Sequence, residues 1–146
     1  MQKLSLSEDG NSLQLSEVKH LNHLEFRRPI LEILEDLKKP IPQRFIKDKT
    51  IKGNKIAYVP WHTLTRLLDY FCPAWDWEIT TSFDGTQVCV MGRLTIKAAE
   101  GDFTRSAVGD EFSEVEHFGS SYTNAEAQSF RRACGRFGLG LHLWEK

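Results

Sequence analysis

Three arginines lie close together near the end of the chain, at Arg131, Arg132 and Arg136. They fall in the segment TNAEAQSFRRACGRFG, whose apolar residues recur at helical spacing. No aspartate or glutamate occurs between residues 127 and 144, so the guanidinium groups have no acidic neighbour on that helix. Guanidinium groups bind phosphate through two parallel N–H bonds. The spacing therefore indicates a site for an external anion, and the alternative is a solvated helix face near the negative end of the helix dipole.

The predicted helix has an apolar side and an arginine side. Arg132 and Arg136 are expected to lie opposite a stripe that contains Phe130 and Phe137, with Arg131 at the margin of that stripe. Arg132→Ala is therefore expected to weaken ligand binding while leaving the fold intact.

Two further features of this helix are informative. Gly135 shares the arginine side, where a glycine costs up to about 1 kcal/mol of helix stability. We expect some other group to approach the backbone closely there. Thr123 and Glu126 match a capping box, which predicts the start of the helix.

A second basic region lies earlier in the chain. Seven basic residues fall between Lys38 and Lys55, with Asp48 as the single acid among them. A solvated loop and a basic binding surface both fit this composition. The candidate binding residues in this region are Arg44, Lys47, Lys49, Lys52 and Lys55.

The composition is that of one globular domain. The chain has 146 residues, of which 40% are hydrophobic, and a formal net charge of −1. No apolar run approaches the roughly 20 residues of a membrane-spanning helix, and the first residues do not form a secretory signal. The three cysteines, an odd and widely spaced set, indicate neither a disulfide framework nor a zinc site. We expect a soluble intracellular protein.

The hydrophobic pattern predicts an α+β fold. Helices are expected to begin at Pro29 and at Trp61 and to end at Pro40 and Pro73, with a short strand KIAYVP between them after a turn at Gly53-Asn54. Three strands follow, joined by turns at Asp84-Gly85 and around Gly101, and the arginine helix closes the order. This order favours an antiparallel three-stranded sheet with helices packed on one face.

The sequence resembles a known family. The block FRRACGRFGLGLHLWEK, preceded by YTNAEAQS, is similar to the terminal helix of the Rad fifty-two superfamily of single-strand annealing proteins. The segments IAYVPWHTLTRLLDYFCPAWDWEI, GRLTI and GDFTRSAVG are similar to its other core elements. The resemblance covers residues 28–144 and is nearest to the short bacterial and phage forms, because the chain stops soon after the helix.

The resemblance implies a β-β-β-α core assembled into rings or filaments that hold single-stranded DNA in a basic groove. The strands would anneal without nucleotide hydrolysis, so the protein would not be an enzyme. The basic pair of the family corresponds to Arg131 and Arg132, while a further family arginine falls on Gly135, one place before Arg136. Lys47 and Lys49 are the loop residues nearest to the groove of the family. Repetition of a small basic patch around a ring suits a nearly neutral monomer.

The expected organisation is a partly ordered tail over residues 1–27 and an annealing and oligomerisation domain over residues 28–146. The implied partners are single-stranded DNA, double-stranded DNA at a second site, other copies of the chain and a single-strand-binding protein. No membrane, metal or cofactor is expected. The expected location is the nucleoid-associated cytoplasm of a bacterium or phage-infected cell.

Two other functions stay open at this point. A metal-dependent nuclease would use the carboxylates of Asp110, Glu111, Glu114 and Glu116, but such chemistry needs carboxylates held by rigid elements around the ion, and these four are expected in one loop. A protein-interaction domain could keep the fold without DNA binding. His20 and His23 are spaced for a shared metal but lack a third ligand near them in sequence. Cys134 is expected in the core, and the four tryptophans are expected to pack or to form subunit contacts, with base stacking as the alternative.

Overall fold

A long helix packed across a three-stranded antiparallel sheet forms the centre of the structure, a computed structural model that describes residues 27–113 and 120–145. The elements, in chain order, are α1 (Ile30–Leu37), β1 (Lys47–Ile51), β2 (Asn54–Tyr58), α2 (Trp61–Phe71), β3 (Trp75–Phe83), β4 (Gln87–Ala98), β5 (Gly101–Phe112) and α3 (Ser121–Arg136). The predicted α+β class is confirmed.

The strand order of the sheet is β3-β4-β5, and its side chains alternate between buried and exposed as the sequence pattern predicts. On β4, every second side chain is buried beneath the helices, namely those of Val88, Val90, Leu94 and Ile96. The residues between them face the other side, where Arg93 forms an ion pair with Glu78 of the neighbouring strand. A strand covered on one face produces this period of two.

Two glycines allow α3 to lie unusually close to the sheet. A Cβ on Gly109 would fall 2.0 Å from the carbonyl oxygen of Ala125, and one on Gly92 would fall 2.4 Å from Oγ of Ser129. Ser129, fully buried, donates from Oγ to the carbonyl oxygen of Ala107 at 2.8 Å. Backbone packs against backbone at Gly109, which fixes the position of α3 and of the arginines on it.

The two shorter helices extend the core beside α3. Ile33 and Leu37 of α1 and Leu67 and Leu68 of α2 are fully buried, and Phe137 joins the same cluster. Both helices have a proline as the N-cap residue, so α1 begins one residue after the start predicted at Pro29.

A buried ion pair holds α1 in place. Arg28 donates to the carboxylate of Asp36 and, at 2.6 Å, to the carbonyl oxygen of Phe71 at the end of α2. The side chains of Arg28 and Asp36 are 8% and 2% exposed. Lys39 also donates to Asp36, at 3.0 Å. The segment before α1 is therefore tied to both short helices.

The basic segment that was expected to be a loop is a β-hairpin. A 3-10 turn at Gln43–Phe45 precedes β1, which pairs with β2 as a separate two-stranded sheet. β1 was missed because KDKTI has no period-two hydrophobic pattern, and its strand state depends on backbone pairing with β2. The turn lies at Lys52 and Gly53, both with positive φ, rather than at Gly53 and Asn54.

The predicted capping box of α3 is wrong. Ser120 is the N-cap residue, and its side chain accepts from the backbone N–H of Thr123 while the Thr123 hydroxyl accepts from the Ser120 N–H. The helix therefore begins earlier than the Thr123 and Glu126 pair indicates. Threonine can take the role that the sequence pattern assigns to glutamate.

Candidate functional site

The hairpin register separates the lysines into two sets. Lys49 pairs with Ile56 and Lys47 with Tyr58, so these side chains share one face of the hairpin. Lys55 lies on the opposite face, where its ammonium group is 3.5 Å from the carboxylate of Asp48. Only the first set lies on the face that carries Tyr58.

A tyrosine ring brings the hairpin and α3 together. The Nζ atom of Lys49 lies 4.9 Å from the centre of the Tyr58 ring, and Cζ of Arg131 lies 5.6 Å from the same centre. Both distances are within the range of cation–π attraction. Two of the predicted binding residues, distant in sequence, therefore meet at one aromatic side chain.

The electrostatic state of this pair is unfavourable for the isolated protein. Burial lowers the pKa of Lys49 below 10.5, and the nearby Arg131 charge lowers it further, while Glu111 acts in the opposite direction. Burial likewise lowers the pKa of Arg131. Neither cation forms an ion pair within residues 27–113 and 120–145. Two partly buried cations with no carboxylate within ion-pair distance favour a bound anion.

The side of α3 that carries Arg132 covers the edge of the sheet. Arg132 donates from Nη1 to the carbonyl oxygen of Val108 at 3.2 Å. One turn earlier, the side-chain oxygen of Gln128 accepts from the backbone N–H of Asp110 at 2.8 Å. Both backbone groups belong to β5, an edge strand. Arg132 is exposed, and this single bond uses one of the five N–H groups of its guanidinium.

Arg136 lies at the C-terminal end of α3 and is exposed. Its carbonyl oxygen accepts from Arg105 of β5, whose guanidinium carbon is 4.7 Å from the centre of the Phe137 ring. Arg105 was not predicted as a site residue. Its side chain satisfies a backbone carbonyl group at the end of α3 and adds a cation beside the three arginines of that helix.

The other predicted cations lie elsewhere on the hairpin region. The guanidinium group of Arg44 lies 4.9 Å from the centre of the Phe45 ring, in the 3-10 turn. Lys52 occupies the hairpin turn with φ of 50°, and Lys47 is exposed at the start of β1. The structure therefore brings together Lys49 and Arg131 and leaves these three outside that contact.

A cavity of about 390 Å³ lies beside the Tyr58 ring. Its walls come from the hairpin, from α2, from α3 and from the 3-10 turn Leu141–Leu143. We refer to it as the hairpin groove, lined by Lys49, Ile51, Ile56, Ala57, Tyr58, Val59, Leu64, Gln128, Arg131, Leu139, Gly140, Leu143 and Trp144. It combines two cations and one amide with a mainly apolar wall, as many ligand sites do.

Three residues of this groove were missed or assigned otherwise from the sequence. Tyr58 and Gln128 were not singled out, and Trp144 was expected to pack or to form a subunit contact. Tyr58 could have been found from the alternating side-chain directions of β2. Once β1 is recognised as the strand that pairs with β2, this alternation places Ile56 and Tyr58 on the same face as Lys49.

The group that was expected over Gly135 is the Trp144 indole. A Cβ on Gly135 would lie 3.5 Å from Nε1 of Trp144, an ordinary contact distance. The glycine is therefore compatible with close packing but is not strictly required for it.

The four acidic residues of the nuclease alternative were expected in one loop, and this expectation is wrong for two of them. Asp110 and Glu111 lie on β5, where consecutive side chains point to opposite faces of the sheet. Glu114 and Glu116, and the pair His20 and His23, lie outside the described residues. Within residues 27–113 and 120–145, no three His, Cys, Asp or Glu side chains are grouped to hold a metal ion.

The cysteines show no activated thiol in the core. Cys134 is fully buried, as predicted, and burial raises its pKa well above the usual thiol value. Burial also raises the pKa of Cys72 to about 12.

Among the described residues, no helix is both long enough and apolar enough to cross a membrane.

Two plant proteins are similar to this chain. DNA repair RAD52-like protein 1, a mitochondrial protein of Arabidopsis thaliana, is 38% identical over 122 residues, which are 82% of this chain and 69% of that protein. DNA repair RAD52-like protein 2, a chloroplastic protein of the same plant, is 35% identical over 124 residues, 82% of this chain and 62% of that protein. The chain thus spans less than two thirds of the second relative. No protein-family model matches it.

These similarities correct one expectation and leave another unconfirmed. The expected location in the cytoplasm of a bacterium or phage-infected cell is wrong, because both similar proteins are named as organelle proteins of a plant. The narrower resemblance to short bacterial and phage forms is not confirmed for the same reason.

Proposed function

Because the chain belongs to the RAD52-like family of DNA repair proteins, we propose that it binds single-stranded DNA and anneals complementary strands during recombinational repair. The observation that carries this proposal is the convergence of Lys49 and Arg131 on Tyr58, with no carboxylate of the described chain within ion-pair distance of either cation. A phosphate near both cations offsets their repulsion, and such contacts hold a strand without reading its sequence.

The proposed binding surface extends from the hairpin groove along α3. Lys49 and Arg131 hold one phosphate, and Arg132 reaches the adjacent backbone from its position over β5. Arg136 adds charge at the end of the helix, while Arg44, Lys47, Lys52 and Lys55 contribute to the potential at longer range. Contacts to phosphates leave the edges of the neighbouring bases available for pairing, as annealing requires.

The proposed assembly is a homo-oligomeric ring built by residues 28–146, preceded by a tail over residues 1–27. Repetition of a small basic surface in each subunit raises the avidity for one long strand, which suits a chain with a net charge of −1. The reaction needs no nucleotide hydrolysis, because annealing is favourable once strands are held extended. We propose that a single-strand-binding protein supplies the strand and that double-stranded DNA binds at a second site.

The names of the relatives support an organelle, mitochondrion or plastid, as the location of this function.

The test measures the anisotropy of a labelled single-stranded oligonucleotide with increasing protein at several salt concentrations. The logarithm of affinity is expected to fall linearly with the logarithm of salt, with a slope of about −0.7 for each phosphate neutralised. Arg131→Gln and Lys49→Gln should each weaken binding about tenfold and reduce the slope by about 0.7.

Lys55→Gln is the matched control, because it removes a lysine from the opposite face of the same hairpin, already paired with Asp48. It should change affinity less than threefold, in keeping with a remote charge. The rate at which each variant anneals complementary labelled strands, measured without nucleotide, should fall in the same order as its affinity for the single strand. A flat salt response, or equal losses in all three variants, contradicts the proposal, and strand cleavage in the presence of magnesium favours a nuclease.

A further inference from the structure

Contact with a phosphate alone leaves most of the hairpin groove unexplained. Besides the two cations, most of the lining of the groove is apolar, including Leu64, Leu139 and Leu143, and the indole of Trp144 also lines it. A surface that only follows a DNA backbone has no need of an apolar cavity of about 390 Å³.

Resting on the proposed function, we infer that the hairpin groove holds one unstacked nucleobase of the bound strand, with Trp144 as its stacking surface. A nucleotide is an anion joined to a flat, largely apolar ring. The groove offers the matching arrangement, because Lys49 and Arg131 line the same cavity as the indole. The size of the cavity is at the lower end of the range for small-molecule sites, which suits a single base.

The position of Trp144 supports this role. The indole lies against α3 at Gly135, one helical turn after Arg131, yet 54% of the residue is exposed. A tryptophan placed only for packing buries more of its large surface. Within the described part of the chain, no hydrogen bond from the indole N–H of Trp144 is found, so this group is available to a base or phosphate oxygen.

A second exposed tryptophan provides a matched control. Trp61 is also 54% exposed, but it lines a different cavity, between α2, α3 and β3, without any lysine or arginine. An aromatic surface without cations lacks the phosphate contact that would place a base on it. A comparison of Trp61→Ala with Trp144→Ala therefore separates the general effect of losing an exposed tryptophan from the loss of the proposed stacking surface.

The experiment compares a short oligodeoxythymidine with an abasic oligonucleotide of the same length. Wild-type protein is expected to bind the thymidine strand about 5- to 100-fold more tightly, the range for stacking of a base on an aromatic side chain. Trp144→Ala should remove most of that preference without changing the affinity for the abasic strand. Trp61→Ala should retain it.

The outcomes distinguish this inference from the proposed function. If neither strand binds to wild-type protein, the proposed function fails. If both bind with a salt-dependent affinity but Trp144→Ala and wild type discriminate equally, only the base site is overturned. Occupation of the groove by another segment of the chain would give this second result, together with a lower Tm of the Trp144→Ala variant.

A measurement on the wild type covers the case in which Trp144→Ala does not fold. An oligonucleotide with 5-iododeoxyuridine is irradiated in the complex, and the crosslinked peptide is identified by mass spectrometry. An adduct on Trp144 or Tyr58 supports the inference. An adduct confined to other residues, or none, overturns it.

Discussion

Lys49 and Arg131 lie over the ring of one tyrosine, Tyr58, with their charged groups 4.9 and 5.6 Å from its centre. The ring attracts both cations, but they repel each other and both are partly removed from water. This arrangement costs stability in the protein without a ligand. Residues placed for binding commonly have such a cost, because the favourable partner is absent until the ligand arrives.

Removal of the Lys49 charge is expected to stabilise the fold. The pKa of Lys49 is below 10.5 in the folded protein, so the unfolded chain binds more protons between the two values. Stability therefore rises with pH across that window, and at neutral pH the full cost of the charge is present. Lys49→Met should raise Tm by about 2 °C at pH 7 and should lack the rise toward pH 10.5.

Thermal unfolding followed by circular dichroism at several pH values measures both effects. Lys47→Met, at an exposed position of the same strand, serves as the control and should leave Tm unchanged within about 1 °C. A lower Tm for Lys49→Met would mean that its contact with Tyr58 outweighs burial and repulsion.

Arg132→Ala should weaken binding of single-stranded DNA about tenfold with only a small effect on stability. Its bond to the carbonyl oxygen of Val108 is exposed, and loss of such a bond costs about 0.5–1.5 kcal/mol. Anisotropy titration and thermal unfolding of the same preparation separate the two effects. Arg66→Ala, which removes an exposed arginine from α2, is the control, and equal weakening by both variants would argue against a local surface.

The sequence allowed the sheet and the arginine helix to be predicted because burial dictates both patterns. Val88, Val90 and Leu94 alternate into the core, and α3 carries its apolar residues at helical spacing. β1 has no such signal, since its strand state depends on pairing with β2. Arg131 could be named from the lack of acids around it, whereas the choice of Lys49 among the lysines required the hairpin register.

Gly109→Ala should disrupt the packing of α3 on the sheet. Its Cβ would meet the backbone at Ala125, which cannot move aside as a flexible side chain can. We expect a loss of about 3 kcal/mol or more, measured by urea unfolding. Gly135→Ala is the contrasting change, because its Cβ would have room beside Trp144 and it should stabilise the helix by about 0.5–1 kcal/mol. Comparable stabilities for the two variants would contradict the proposed role of backbone packing.

Asp36→Asn should destabilise the protein and weaken the dependence of its stability on pH in the acidic range. Burial acts to raise the pKa of Asp36, but hydrogen bonds from Arg28 and Lys39 lower it below 3.8 overall. The carboxylate therefore contributes stability above pH 3.8 that is lost as pH falls through its folded pKa. The substitution leaves Arg28 buried without its counter-charge, at a cost of about 3–5 kcal/mol.

Glu35→Gln is the control for this prediction, because Glu35 forms an exposed ion pair with Lys38 on the same helix. It should change the free energy of unfolding by less than about 0.5 kcal/mol at neutral pH. Urea unfolding at neutral and acidic pH measures both variants, and similar values for the two would show that the buried pair contributes little.

The hairpin shares no strand with the three-stranded sheet, and two strands alone are marginally stable in water. One wall of the groove therefore belongs to an element that opens more easily than the body that carries the opposite wall. A ligand that contacts both walls restricts the opening of the hairpin. Its binding should therefore slow amide hydrogen exchange in β1 and β2 far more than in β4. The bound ligand would therefore supply the rigidity that the isolated hairpin lacks.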